Sequence, residues 1–135
     1  MRTNFNIYEK LNSFVYPFEF PELLHEVWIQ IPEEDQQIIW QNLAYIHGVD
    51  YARFNEKQQL DRNITATEAG RTTLYENTEL CAVYIDGSRS HDAIKISIAH
   101  ELAHVFYNHL KKETAKTIAE DEAKAKAREW GFVQP

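Results

Sequence analysis

Cysteine is nearly absent from this chain, whose 135 residues include only Cys81. A single cysteine excludes an intramolecular disulfide framework and a zinc site built on a C-x-x-C pair. A reducing, cytoplasmic compartment is therefore expected. Cys81 lies in the apolar run 80–83. A cysteine in such a run is typical of a small buried side chain and not of a reactive thiol.

Positive charge and long apolar runs are also scarce. Lysine and arginine number 14 against 21 aspartates and glutamates, which gives a formal net charge of −7. Because nucleic-acid phosphates require an excess of cations, no nucleic-acid partner is expected. No segment is long and apolar enough to span a bilayer, and the first residues do not begin the apolar stretch of a signal peptide. The sequence predicts a soluble cytoplasmic protein with no membrane partner.

Apolar residues, by contrast, make up 44% of the chain and aromatic residues 13%, a composition typical of a folded core. The length suits one domain over residues 1–135. Hydrophobic spacing divides it into a mostly helical part over 1–48, strands over 49–89 and two helices over 90–132. The predicted fold is of the α+β class, with N-terminal helices and a short, mostly antiparallel sheet.

Two helices are predicted before the strands. A proline at its start favours a short helix over 21–28. A longer helix is expected from Pro32, because acidic residues fill its first turn and apolar residues recur at helical spacing over 38–46. Gly48 is interpreted as its C-terminal stop.

Three regions carry the composition of strands. Residues 49–54 alternate in part, and segments 64–67 and 71–75 flank a turn that contains glycine, which predicts a hairpin. Residues 79–86 form the strongest strand and end at Gly87. This strand runs almost directly into the next helix, so it is expected to line a cleft there and to offer a free edge to an extended peptide.

An H-E-x-x-H pattern occupies positions 100–104 within an apolar segment of helical spacing. Side chains four residues apart lie one above the other on a helix, so His100 and His104 can each give one nitrogen to a single zinc ion. Glu101 lies at the edge of that face, where it can reach a water on the metal and act as general base. The pattern predicts a Zn²⁺ cofactor.

The two helices around this pattern have recognisable ends. The helix that carries it is expected to begin at a cap, Ser90 or Asp92, and to end near 108–109. A last helix is predicted over 114–130. Its alanines recur every four residues along one face, which permits a close approach to the preceding helix. These alanines are Ala115, Ala119, Ala123 and Ala127.

A catalytic zinc site usually has a third protein ligand. His109 would point about 180° away from His100 on a continuing helix, which excludes it. The metzincin pattern is excluded as well, because Tyr107 and Leu110 occupy the positions of its glycine and its third histidine. His109 is therefore interpreted as a helix-terminal residue.

A glutamate from the last helix is the better third ligand. Glu113 lies too close to the turn to fold back toward the histidines. Glu120 shares the neighbourhood of the alanine face and is favoured. Glu122 stays open as the alternative.

Residues 98–105, followed by the pattern E-x-E-A over 120–123, resemble the ImmA/IrrE-type metallopeptidases. The resemblance covers about residues 79–132. It implies a small zincin-like domain in which the HExxH helix packs on a C-terminal helix. It also implies specific roles, with His100, His104 and Glu120 as zinc ligands and Glu101 as general base.

The same resemblance implies an intracellular peptidase that cleaves a regulatory protein, often in phage, mobile-element or stress control. The chain departs from the family at Lys124, where Asn or Asp is usual, and at Lys126, where a large apolar residue is usual. The predicted function is hydrolysis of a peptide bond in a protein or peptide substrate, with Glu101 activating a zinc-bound water. The alternative is a non-catalytic protein-binding module or a phage or mobile-element effector on the same fold.

Overall fold

The computed structural model describes residues 5–12, 19–49, 70–75 and 78–133. Helices and strands alternate irregularly in these ranges, which confirms the α+β class. A 3₁₀ turn over Ile7–Lys10 is followed by β1 (Leu11–Asn12), α1 (Phe20–Trp28), α2 (Glu33–Asn42), β2 (Leu43–Val49), β3 (Gly70–Leu74), β4 (Cys81–Asp86), α3 (His91–Tyr107) and α4 (Lys116–Glu129).

The described strands form one four-stranded sheet in the order β1-β2-β4-β3. β2 runs parallel to both β1 and β4, and only β3 and β4 pair antiparallel. The prediction of a mostly antiparallel sheet is therefore wrong. The predicted strand 49–54, apart from Val49, and the hairpin segment 64–67 lie outside the described residues.

Residues 43–49 form β2 and not the end of a helix, so the prediction of helix through residue 48 is wrong. α2 ends at Asn42, and Leu43 has φ −102° and ψ 125°, which is extended backbone. A strand paired on both edges in a parallel arrangement is covered on both faces, and its apolar run carries no alternation. Gly48 lies within this strand. A Cβ there would come within 2.6 Å of the Phe20 ring, so glycine permits α1 to approach the sheet.

β4 is one of the two inner strands, and all six of its residues are buried. Because β2 and β3 pair with its two edges, the predicted free edge for a peptide does not exist. Cys81 opens this strand and is buried, as its apolar surroundings predict. β3 contacts the H-E-x-x-H segment through the Thr72 hydroxyl, which bonds to the Glu101 carboxylate.

α3 has the predicted bounds. The Ser90 hydroxyl accepts a hydrogen bond from the backbone N–H of Ala93, which caps the first turn. The helix ends where Asn108 adopts the left-handed conformation, with φ 56°. α3 contacts α1, α2 and α4 as well as β3 and β4, so the H-E-x-x-H segment is held from several sides. Among the described residues, no helix has the length and apolar character to cross a membrane.

α4 lies against α3 through its alanines. Ala119, Ala123 and Ala127 are buried, whereas Ala115 precedes the helix and is exposed. The far end of α4 is fixed by Asp35 of α2, whose carboxylate accepts a hydrogen bond from the Trp130 indole N–H at 2.9 Å. The small side chains between α3 and α4, together with the hydrogen bond of Trp130 to Asp35, position α4 beside the two histidines.

Candidate metal centre

Three donor atoms from α3 and α4 converge. The Nε2 atoms of His100 and His104 are 3.2 Å apart, and Oε2 of Glu120 lies 2.9 Å from the first and 2.8 Å from the second. The predicted ligand set thus meets at one point. Glu122, the alternative third ligand, points to His109 instead, with its Oε1 2.8 Å from Nε2 of that residue.

The spacing and chemistry of these donors fit a zinc ion. Zinc binds nitrogen and oxygen at about 2.0–2.2 Å in a tetrahedron, which puts the ligand atoms roughly 3.3 Å apart. The observed separations of 2.8–3.2 Å are a few tenths of an ångström shorter. An outward movement of a few tenths of an ångström by these side chains would admit such an ion. A site with three protein ligands leaves a position for water or substrate.

Burial and neighbouring charge favour the protonation states that bind a metal. Burial lowers the pKa of His104, and the nearby His100 lowers it further against the opposing effect of Glu120. For Glu120, burial raises the pKa, but hydrogen bonds and charge from His100 and His104 outweigh it and leave the pKa below its ordinary value. Neutral imidazole and ionised carboxylate are the forms that coordinate a divalent cation.

The Glu101 carboxylate is held beside the donors by β3. One ligand atom from each of His100, Glu101 and His104 lies within 4.8 Å of the others. The Thr72 hydroxyl donates a hydrogen bond to Glu101 Oε1 at 2.7 Å. At Gly70 of the same strand, a Cβ would lie 3.1 Å from Glu101 Cγ, so the absence of a side chain there makes room for Glu101.

His109 contacts His104 from outside the three converging donors, and it follows the end of α3 as a helix-terminal residue would. The left-handed Asn108 ends α3, so the angle expected on a continuing helix does not apply. The turn brings Nδ1 of His109 within 2.9 Å of Nδ1 of His104. His109 thus faces the back of the His104 ring, whereas Glu120 faces its Nε2.

A cleft of about 530 Å³ opens onto these groups. Its walls come from β3, from α3, from the segment that joins α3 to α4, and from α4 itself. They combine apolar, cationic and acidic side chains beside the strand backbone. The lining comprises Gly70, Arg71, Thr72, Glu101, His104, His109, Leu110, Thr114, Lys116, Ala119 and Glu120.

Sequence reasoning missed Thr72 and Gly70, since no local pattern shows which strand residue will face a helix 29 residues later. It also missed the partnership of His109 with Glu122. Asn108 could have indicated this, because asparagine is among the few residues that adopt the left-handed conformation readily and so end a helix.

No protein-family model, curated protein or solved structure matches this chain. The resemblance to ImmA/IrrE-type metallopeptidases stays a prediction, carried by the residues of β4, α3 and α4.

Proposed function

We propose that the chain is a zinc-dependent metallopeptidase with a zincin-like arrangement of α3, α4 and β3. His100, His104 and Glu120 hold the ion in this proposal, and Glu101 is the general base. The observation that carries it is the convergence of two imidazole nitrogens and one carboxylate oxygen within 3.2 Å of one another, beside a second carboxylate.

Zinc in such a site supplies Lewis acidity, which makes water a stronger acid and polarises a peptide carbonyl. Glu101 takes a proton from the attacking water as the new C–O bond forms. It then passes this proton to the amine nitrogen as the C–N bond breaks, so the carboxylate is restored at the end of the cycle. Thr72 orients the carboxylate for both transfers by its hydrogen bond to Oε1.

The proposed substrate is a peptide segment of an intracellular protein. The volume of the cleft is in the range of ligand-binding sites, and the backbone of β3 forms part of its wall beside Glu101. Extended peptides bind strand backbones through main-chain hydrogen bonds. The family resemblance suggests a regulatory protein in the cytoplasm, in a phage or mobile-element setting.

Substitution of the general base tests the proposal. Glu101→Gln keeps the shape of the side chain but cannot accept the proton, so peptide hydrolysis should fall by about 10²- to 10⁴-fold while zinc stays bound. Glu113→Gln makes the same chemical change at an exposed position outside the cleft lining and should hydrolyse as the wild type does. A library of quenched fluorescent peptides, read by fluorescence and mass spectrometry, detects cleavage without a known substrate.

Two results would contradict the proposal. Full hydrolysis by Glu101→Gln would exclude Glu101 as the general base. Stoichiometric zinc with no cleavage of any peptide or denatured protein would favour the alternative of a non-catalytic protein-binding module.

A further inference from the structure

The two nitrogens of the His104 ring face different partners. Nε2 lies 2.8 Å from Glu120 Oε2, among the candidate metal ligands. Nδ1, on the opposite side, lies 2.9 Å from Nδ1 of His109. His109 in turn places its Nε2 2.8 Å from Glu122 Oε1. A continuous row of contacts therefore runs from Glu120 through two imidazoles to Glu122.

Counting protons along this row shows that two neutral imidazoles leave one contact without a proton, a shortfall that a third proton or a metal ion removes. Ionised carboxylates only accept hydrogen bonds, so each contact in the row needs one proton on an imidazole nitrogen. The three contacts need three protons, but two neutral imidazoles carry two. When a metal ion takes the lone pair of His104 Nε2, the contact with Glu120 needs no proton. The remaining two contacts are then satisfied by one tautomer of each ring, protonated at Nδ1 of His104 and at Nε2 of His109.

The fold holds His109 in place independently of a metal. The backbone N–H of His109 donates to the His104 carbonyl at 3.2 Å, and its own carbonyl accepts from the Thr114 N–H at 3.0 Å. Its ring stacks on Tyr107 with centroids 5.2 Å apart, and the side chain is only 5% exposed. His100 lacks such support, because its buried Nδ1 has no hydrogen-bond partner among the described residues.

We infer that His109 and Glu122 are positioning residues that fix the tautomer and the ring orientation of His104, so that its Nε2 lone pair faces the ion. The inference rests on the proposed metal site. Metal-ligating histidines commonly donate their second ring N–H to a carboxylate or carbonyl. In this chain the His104 N–H donates to the buried imidazole of His109 in place of a carboxylate. His109 in turn donates to the Glu122 carboxylate.

Zinc affinity tests the inference, measured by competition with a chromophoric chelator. His109→Phe keeps a ring against Tyr107 but removes the acceptor, and should weaken zinc binding by about 10- to 100-fold. His109→Asn keeps an acceptor oxygen close to the position of Nδ1 and should restore most of that loss. Glu122→Ala alters an exposed side chain and should also weaken zinc binding. Asp121→Ala makes the same change of charge and should leave zinc binding unchanged.

A second readout is the tautomeric state of the rings, from long-range ¹H–¹⁵N correlation spectra of the zinc-loaded protein. The expected protons are on Nδ1 of His104 and on Nε2 of His109. Unchanged zinc affinity in both His109→Phe and Glu122→Ala, or a proton on Nδ1 of His109, would overturn this inference while leaving the metal site intact. A wild-type protein that binds no zinc would overturn the metal site and this inference together.

Discussion

The Thr72 hydroxyl lies 2.7 Å from Oε1 of Glu101 and joins the edge of the sheet to the helix that carries the H-E-x-x-H segment. This hydrogen bond restricts the rotation of the carboxylate. We expect Thr72→Val, which keeps the side-chain shape, to lower peptide hydrolysis about tenfold, in line with the loss of a hydrogen bond to a charged group. Zinc binding should not change.

Thr73→Val is the matched control for this prediction, because Thr73 is the next residue of β3 and its side chain points to the other face of the strand. Equal hydrolysis rates for the two variants, measured on one cleavable peptide, would argue against a role for Thr72 in positioning Glu101.

Gly48 should tolerate no side chain. A Cβ at this position would come within 2.6 Å of the buried Phe20 ring, and neither the strand nor the helix can move without disturbing the core. Overpacking of this kind costs about 1–3 kcal/mol or more, so Gly48→Ala should lower the melting temperature by several degrees at least. Thermal denaturation followed by circular dichroism measures this, and an unchanged melting temperature would contradict the described contact of α1 with β2.

Lys126 should stabilise the fold by tying α4 to α2. Its ammonium lies 3.5 Å from Asp35 and 3.3 Å from Glu129, and 4.4 Å from the centre of the Phe106 ring. Burial lowers the pKa of Lys126, but the hydrogen bond to Glu129 and the charge of Asp35 outweigh it, so the pKa is raised. Lys126→Met should lower the free energy of unfolding at pH 7 by about 1–2 kcal/mol, between the values for exposed and buried pairs.

The raised pKa also fixes the sign of the pH dependence. The stabilisation by Lys126 is fully present below the unfolded lysine pKa of about 10.4 and is lost as pH rises through the higher folded value. Urea denaturation at pH 7 and pH 11 should show a smaller gap between wild type and Lys126→Met at pH 11 than at pH 7. Lys124→Met removes the same charge at an exposed position and should have little effect at either pH. An equal loss of unfolding free energy in the two variants would exclude a stabilising contact of Lys126 with Asp35.

Cys81 should be inert in the folded protein. Burial raises the pKa of its thiol to about 11, so only about 0.1% is thiolate at pH 8. The side chain is also inaccessible. A chromogenic disulfide reagent should therefore react with the native protein far more slowly than with the urea-unfolded protein. Fast stoichiometric reaction of the native form would contradict the burial of β4.

The sequence predicts the helices around the site well because their patterns are local. The residues that form the cap at Ser90 are close together in the sequence. The same is true of the apolar stripe of α3 and of the alanines of α4. Glu120 could be chosen for the same reason, since small residues mark the face that approaches α3.

The wrong predictions concern contacts between segments that are distant in the sequence, which local patterns do not show. Leu43 and Ile46 are three residues apart, a spacing that suits a helix as well as a strand covered on both faces. Parallel pairing of β2 with β4 joins segments distant in the chain. The 180° angle predicted for His109 assumes a continuing helix, whereas the left-handed Asn108 ends α3 and turns His109 toward His104.

The zinc content of the purified protein, measured by elemental analysis after dialysis against a limited excess of zinc, tests the central claim most directly. The wild type should hold one zinc per chain. His104→Ala and Glu120→Ala should hold none at the same free zinc concentration, whereas Asp121→Ala should hold one. Stoichiometric zinc in His104→Ala, or no zinc in the wild type, would contradict the proposed metal centre.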